Sequence, residues 1–171
     1  MVEKTLSELM IETNARKLKE ALETSCVNAK GIKLDNFLSK LLDINTLEKK
    51  SIDIEKKSGV YFLYDNEELV YVGQTDYLSN RLLQHKTEKN FDEYSFYPID
   101  DKEEKNLLEW FYIKKFKPRY NVSDTCKCHI KLEIGNKYFY SEEIFVVLNE
   151  YYEKSVTSNK KSKNDANRFP I

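Results

Sequence analysis

GVYFLYDNEELVYVGQT spans Gly59 to Thr75, and its reading decides the fold. Two short apolar runs, Val60–Tyr64 and Leu69–Val72, flank the polar tetrapeptide Asp65-Asn66-Glu67-Glu68. Both runs are rich in aromatic and β-branched residues, as strands are, so the segment predicts a hairpin. The chain has four glycines, and two of them, Gly59 and Gly73, bracket this stretch. Glycine at a strand end weakens the strand unless another group must approach the backbone closely. The tyrosines alone need no function, since aromatic strands pack well without one.

The neighbouring elements follow outward. Leu78–Lys86 reads as a short helix and Tyr94–Ile99 as a third strand. Asp100 or Asp101 can cap a helix running to about Lys117, where Pro118 stops it. On the N-terminal side, Thr5-Leu6-Ser7-Glu8 is a capping-box pattern, followed by Leu6, Leu9, Met10, Leu18, Ala21 and Leu22 at rough helical spacing. Gly31 is a stop for that helix, and Asp35 caps a second one carrying Phe37, Leu38, Leu41 and Leu42. Residues 46–58 read as a linker. The C-terminal part predicts strands Ile130–Ile134 and Lys137–Tyr140 around Gly135-Asn136, then a helix from Glu142 to Lys154 capped by Ser141. Residues 155–171, rich in Ser, Asn and Lys, read as a flexible tail.

A length of 171 residues suits one domain with appended elements. With 40% hydrophobic and 33% charged residues the chain can bury a core. The N-terminus MVEKTLSELM is charged from its third residue, unlike a secretory signal, and the longest clean apolar run, Ile144–Leu148, is far too short to span a bilayer. The expectation is a soluble, cytoplasmic protein. Its three cysteines, an odd number, suit reduced thiols. Cys126-Lys127-Cys128-His129 resembles a piece of a metal site, but the spacing is tight for zinc and no second ligand pair follows. Small residues entering a strand is the simpler reading. Net charge is −1, and residues 59–125 alone carry 9 basic and 13 acidic side chains. If the partner is nucleic acid, the flanks or a metal must supply much of the phosphate neutralisation.

Three residues break the ordinary pattern. Glu109 is the only charge in Leu107-Leu108-Glu109-Trp110-Phe111-Tyr112-Ile113. At about 100° per residue it lies between Ile113 and Phe116 on the helix wheel. A carboxylate there loses hydration unless a cation or donor pairs with it, and a lysine salt bridge at the core edge would be the plain solution. Arg81 and His85 are four apart on one helix face, bordering Leu78 and Leu82. They could simply cover the core rim, although His85 can exchange a proton near neutral pH.

Together these residues resemble the GIY-YIG nuclease family. Gly59-Val60-Tyr61 matches its first triplet and Tyr71-Val72-Gly73 its second, Arg81 its helical arginine, Glu109 its metal-binding glutamate, and Pro118-Arg119-Tyr120-Asn121 its closing P-x-Y-N segment. His85 follows Arg81 by one turn, as in several homing and restriction members. The likeness covers roughly residues 58–122. It implies an α+β fold: a three-stranded antiparallel sheet flanked by helices, with residues 1–57 as a helical N-terminal extension and 123–171 as a small strand–helix extension.

The resemblance also implies hydrolysis of phosphodiester bonds in double-stranded DNA with one divalent metal, Mg²⁺ or Mn²⁺. Glu109 would ligate the metal, Arg81 would hold phosphate oxygens, and Tyr71 or Tyr61 would be the general base. His85 would lower the tyrosine's pKa or take its proton onward, and Asn121 would position the metal site or phosphate. Many members keep a lysine directly after the second triplet; here it is Gln74, which shifts weight to His85. The compact architecture favours a type II restriction endonuclease, acting as a homodimer or higher homo-oligomer. Phage-type, homing or repair enzymes of the family, or a catalytically idle DNA-binding module, are the alternatives.

Overall fold

The computed structural model describes residues 5–24, 28, 29, 32, 33, 40, 57–121, 130–134 and 136–166. The chain forms two compact units. One comprises Thr46–Cys128; the other joins Met1–Asn45 to His129–Ile171.

The central unit is built on the hairpin. Strands β3 (Gly59–Asp65), β4 (Glu68–Thr75) and β5 (Glu93–Pro98) form one antiparallel sheet in the order β4-β3-β5. Asn66 and Glu67 turn the hairpin with φ of 51° and 67°. Positive φ at both central residues matches the twist of the flanking strands. A register shift between Leu63 and Tyr64 bends the hairpin near that turn. Beyond it, Tyr61 stands opposite Gly73 and Phe62 opposite Val72.

Helices α2 (Leu78–Glu88) and α3 (Lys102–Phe116) complete this unit. Tyr61 and Leu63 pack with Leu78 and Leu82 of α2 and with Tyr94. Their neighbour Phe62 points the other way, edge-on to Tyr112 of α3 at 5.0 Å. Alternation along β3 thus assigns one sheet face to each helix. Asp101 caps α3 by accepting from the Glu104 N–H, and Lys117 closes it in a left-handed conformation just before Pro118. The edge of β4 is covered by the segment after Pro118. Tyr120 N–H donates to the Val70 carbonyl at 3.0 Å, and the Asn121 amide pairs with both backbone groups of Val72 at 2.9 Å each. An exposed strand edge is thereby closed.

The second unit contains α1 (Leu6–Thr24), the pair β1 (Asn28–Ala29) and β2 (Ile32–Lys33), the hairpin β6 (Lys131–Ile134) and β7 (Lys137–Tyr140), and α4 (Ser141–Ala166). The capping box forms: Thr5 N–H donates to Glu8 Oε2 at 2.7 Å and Glu8 N–H to Thr5 Oγ1 at 3.4 Å. Helices α1 and α4 run parallel, for Asn14 reaches Glu143 and Lys19 reaches Glu150. Ala15, Leu18, Ile144, Val147 and Leu148 are buried in this unit.

Several sequence expectations are corrected. Leu6, Leu9 and Met10 are exposed, so the inward face of α1 begins further along. That helix ends at Thr24, before Gly31, and the short β1–β2 pair follows it. The expected flexible tail is helical to Ala166, twelve residues beyond Lys154. Ser155 and Thr157 bond back to the carbonyls of Tyr152 and Glu153 at 2.7 and 3.0 Å, which satisfies their hydroxyls inside the helix. The expected helix from Asp35, apart from helical Lys40, most of the 46–58 linker, and Cys126, Cys128 and His129 lie outside the described residues. Among the described residues no helix is long and apolar enough to cross a membrane.

Candidate active site

The two triplets meet at one cross-strand pair, Tyr61 opposite Gly73. A Cβ placed there would lie 2.6 Å from Tyr61 Oη and 2.7 Å from both the Tyr61 Cζ and the Tyr71 ring. Glycine is required here for room, and the room is filled by the two tyrosines. Their ring centroids lie 5.9 Å apart, and that of His85 is 4.8 Å from Tyr71 and 5.8 Å from Tyr61.

His85 is buried on α2, at 4% exposure, and both ring nitrogens are engaged. Lys89 Nζ lies 2.9 Å from Nδ1, and Tyr61 Oη lies 2.8 Å from Nε2. An ammonium can only donate, so Nδ1 carries the lone pair and Nε2 the hydrogen. Burial, then Lys89 and Arg81, lower the His85 pKa to about 4. His85 is therefore neutral near pH 7 and donates to Tyr61. The expectation that it exchanges a proton near neutral pH is revised: a charged ring here would be desolvated beside two cations.

The hydroxyls continue the chain. Tyr61 accepts from His85, which leaves its own hydrogen free to turn toward the neighbouring Tyr71 hydroxyl, the group to which its titration is coupled. Burial first, then Tyr71, hold the Tyr61 phenol far above its ordinary pKa. Tyr71 is also raised, by burial first and further by the Glu109 carboxylate, against the opposing pull of Tyr61 and Arg81. Of the two phenols, half-buried Tyr71 is the more accessible, and Arg81 favours the anion of each.

Arg81, exposed on α2, bonds to Gln84 at 2.8 Å. Its charge acts on Tyr61, Tyr71, His85 and Glu109. Glu109 projects from α3, and burial raises its pKa. Its partner is neutral Gln74, whose Nε2 donates to Glu109 at 2.7 Å and to Asn106 at 2.6 Å. The anticipated lysine pairing of Glu109 is absent among the described residues, and a lysine would compete with a metal for that carboxylate. One turn earlier, buried Lys105 binds Asp76 and Ser58, tying α3 to the end of β4 a second time. These two ties fix Glu109 relative to the strand that carries Tyr71.

Asn121 stands apart from this cluster. Its amide oxygen and nitrogen both engage Val72, between Tyr71 and Gly73. It holds the strand rather than presenting a free amide. Sequence reasoning singled out Gln74 only as a departure and passed over Lys89, Lys105 and Asp76. The i, i+4 spacing of His85–Lys89 and Lys105–Glu109 was the available signal.

Among the described residues no group of three or more His, Cys, Asp and Glu gathers as a metal nest. A single carboxylate fits Mg²⁺ nevertheless, because that ion keeps several waters and takes substrate phosphate oxygens. Glu109, desolvated and held by a neutral amide, has the chemistry of such a ligand.

No family model matches the chain. The UvrABC system protein C of Fusobacterium nucleatum is 34% identical over 82 residues, 42% of this chain and 14% of that protein. That of Ruminiclostridium cellulolyticum is 31% identical over 142 residues, 75% of this chain and 21% of that protein. The chain thus spans only about a fifth or less of the curated relatives it matches. The magnesium-bound GIY-YIG N-terminal endonuclease domain of UvrC from Thermotoga maritima is 25% identical, with a TM-score of 0.36, over 51% of this chain and 97% of that domain. With both triplets meeting across one antiparallel hairpin, and Arg81, Glu109 and Pro118–Asn121 following in order, the chain belongs to the GIY-YIG nuclease family.

Proposed function

We propose that the chain is a metal-dependent DNA endonuclease that hydrolyses phosphodiester bonds, with residues 58–122 as its catalytic part and the flanking segments as accessory elements. The observation that carries this is the packing of half-buried Tyr71 against Tyr61 and His85, beside the charges of Arg81 and Glu109. Tyr71 removes a proton from water as the water attacks phosphorus. Tyr61 stays protonated and steadies the Tyr71 phenolate through its donated bond. Arg81, exposed and adjacent, binds non-bridging phosphate oxygens and offsets the charge that develops on them. Glu109, aligned by Gln74, holds the divalent ion. That ion, when bound, supplies Lewis-acid polarisation of the phosphate and neutralises the leaving oxygen. Asn121 acts by keeping β4, and hence Tyr71, in register.

The relatives reported above, each the C protein of a UvrABC system, favour the repair-type reading over restriction. The restriction reading rests on compact architecture alone, and a second copy of the chain would then be needed to cut the opposite strand. The deciding experiment digests mapped plasmids with Mg²⁺ and end-sequences the products, beside Glu109→Ala. Metal-dependent cleavage that disappears in Glu109→Ala, with DNA binding retained, is the expected result. Full-rate cleavage by that variant would sink the proposal. Discrete bands from undamaged plasmid would support restriction, and incision confined to damaged plasmid would support repair.

A further inference from the structure

Lys89 closes α2 as its C-cap residue, and nothing in the family pattern points to it. It is nevertheless nearly buried, with 13% of its side chain exposed. Its Nζ lies 2.9 Å from His85 Nδ1 and 4.8 Å from the centroid of the Tyr71 ring. One ammonium therefore touches both ends of the His85–Tyr61–Tyr71 chain. Such a position is costly for a flexible lysine unless its hydrogens are used.

A competitor stands beside it. Glu88 Oε2 is 3.7 Å from the same Nδ1 and 3.4 Å from Lys89 Nζ. Carboxylate and ammonium ask opposite things of that nitrogen. A carboxylate accepts, and would place the hydrogen on Nδ1. An ammonium donates, and drives the hydrogen to Nε2. Lys89 is the closer by 0.8 Å and holds hydrogen-bond distance, whereas Glu88 does not.

The choice propagates. With hydrogen on Nε2, His85 donates to Tyr61, the Tyr61 hydrogen is left free for Tyr71, and the chain ends on the Tyr71 oxygen as acceptor. With hydrogen on Nδ1, Nε2 becomes an acceptor and draws the Tyr61 hydrogen toward itself. Tyr61 then no longer donates to Tyr71, and the Tyr71 phenolate loses its hydrogen bond.

We propose that Lys89 is a positioning residue that sets the direction of this hydrogen-bond chain, out-competing Glu88 for His85 Nδ1 so that Tyr71 is the terminal acceptor. It supplies, from the end of a helix, the cation that Gln74 does not supply after the second triplet. The proposal rests on the reading of Tyr71 as the base. The groups facing His85 are Tyr61 on β3, Tyr71 on β4, and Arg81, Glu88 and Lys89 on α2 or its cap.

The test is ¹⁵N NMR of the full-length, metal-free protein labelled at histidine. Only His85 and His129 contribute, and His129→Gln assigns the pair. Wild type at pH 7 is expected to show a pyrrole-type Nε2 and a pyridine-type Nδ1 at His85. Lys89→Met should reverse that pattern or mix the two forms, Lys89→Arg should preserve it, and Lys89→Met with Glu88→Gln should abolish the reversal. Cleavage of plasmid with Mg²⁺ should fall about 10- to 100-fold in Lys89→Met, the usual loss when a partner that orients an active-site group is removed, and recover in Lys89→Arg. An unchanged Nε2–H tautomer in Lys89→Met would overturn the proposal, as would a reversed tautomer with wild-type cleavage. Failure of the nuclease reading would show separately, as wild-type protein with the expected tautomer and no cleavage of any DNA.

Discussion

Substituting Gly73 by alanine tests the active-site geometry more sharply than removing any of its functional groups. The new methyl would sit 2.6 Å from Tyr61 Oη, 2.7 Å from Tyr61 Cζ and 2.7 Å from Tyr71 Cε1. Ordinary carbon contacts begin near 3.4 Å, so the rings must move by roughly 0.7 Å. Tyr61 is 1% exposed and cannot swing into solvent, which leaves displacement of both phenols within the cluster. Two opposed effects set the stability change. Overpacking costs about 1–3 kcal/mol, and the loss of glycine's unfolded-state freedom returns about 0.4–1 kcal/mol. The expected net loss is about 1–2 kcal/mol, or a Tm lower by roughly 2–8 °C for a chain of this size. That leaves the protein folded at room temperature, given a typical stability of about 5–15 kcal/mol. The rate is affected far more. A displacement near 1 Å at reacting groups can cost about 100-fold, equivalent to about 2.7 kcal/mol of barrier. Thermal denaturation and plasmid nicking on the same preparation separate the two quantities. Gly73→Ala cutting within threefold of wild type would refute the idea that these tyrosines react where they lie. Gly59→Ala provides contrast, because its Cβ would lie 2.1 Å from the Tyr97 carbonyl oxygen, and its damage should appear in stability first.

Three further outcomes follow from the same geometry. Asn121→Ala removes both bonds to Val72 and should lower stability by about 1–3 kcal/mol in urea titrations; lost cleavage at unchanged stability would instead assign Asn121 a direct part in the chemistry. Gln74→Ala frees Glu109 from its aligning donor and should raise the Mg²⁺ concentration for half-maximal cleavage about 10-fold, measured by metal titration, whereas an unchanged midpoint would remove Gln74 from that role. His85 has a folded pKa near 4 against 6.5 when unfolded, so the unfolded chain binds the extra proton first on acidification. Its contribution is therefore present above about pH 6.5 and lost as pH falls toward 4. Urea midpoints of wild type and His85→Gln should accordingly converge from pH 7 to pH 4.5, and a gap that widens in acid would contradict a neutral imidazole.

The parts of this molecule readable from sequence are those written in short-range chemistry. The hairpin follows from two apolar runs around a polar turn, and α3 from Asp101 before it and Pro118 after it. The tyrosines, Arg81 and Glu109 stood out through motif order and one misplaced charge. The direction of the hydrogen bonds did not, since it depends on which of Glu88 and Lys89 comes closer to one ring nitrogen. The use of Asn121 was hidden as well, because an asparagine that completes a strand edge and one that faces a ligand look alike in sequence. The α1–α4 pairing joins residues 129 positions apart, with no local signal for it. Alpha-helical continuation to Ala166 was masked by a composition that usually marks loops.

That pairing has a consequence for fragments of the protein. Helix α1 leaves the ribosome long before α4, and the whole Thr46–Cys128 unit is synthesised between them. Until α4 arrives, Ala15 and Leu18 have no parallel helix to cover them, so the nuclease core can complete its sheet while the older helix still waits. Trimming one terminus only would strand the apolar face of the surviving helix and invite aggregation. Trimming both together removes the two faces at once, and is the better route to a well-behaved core.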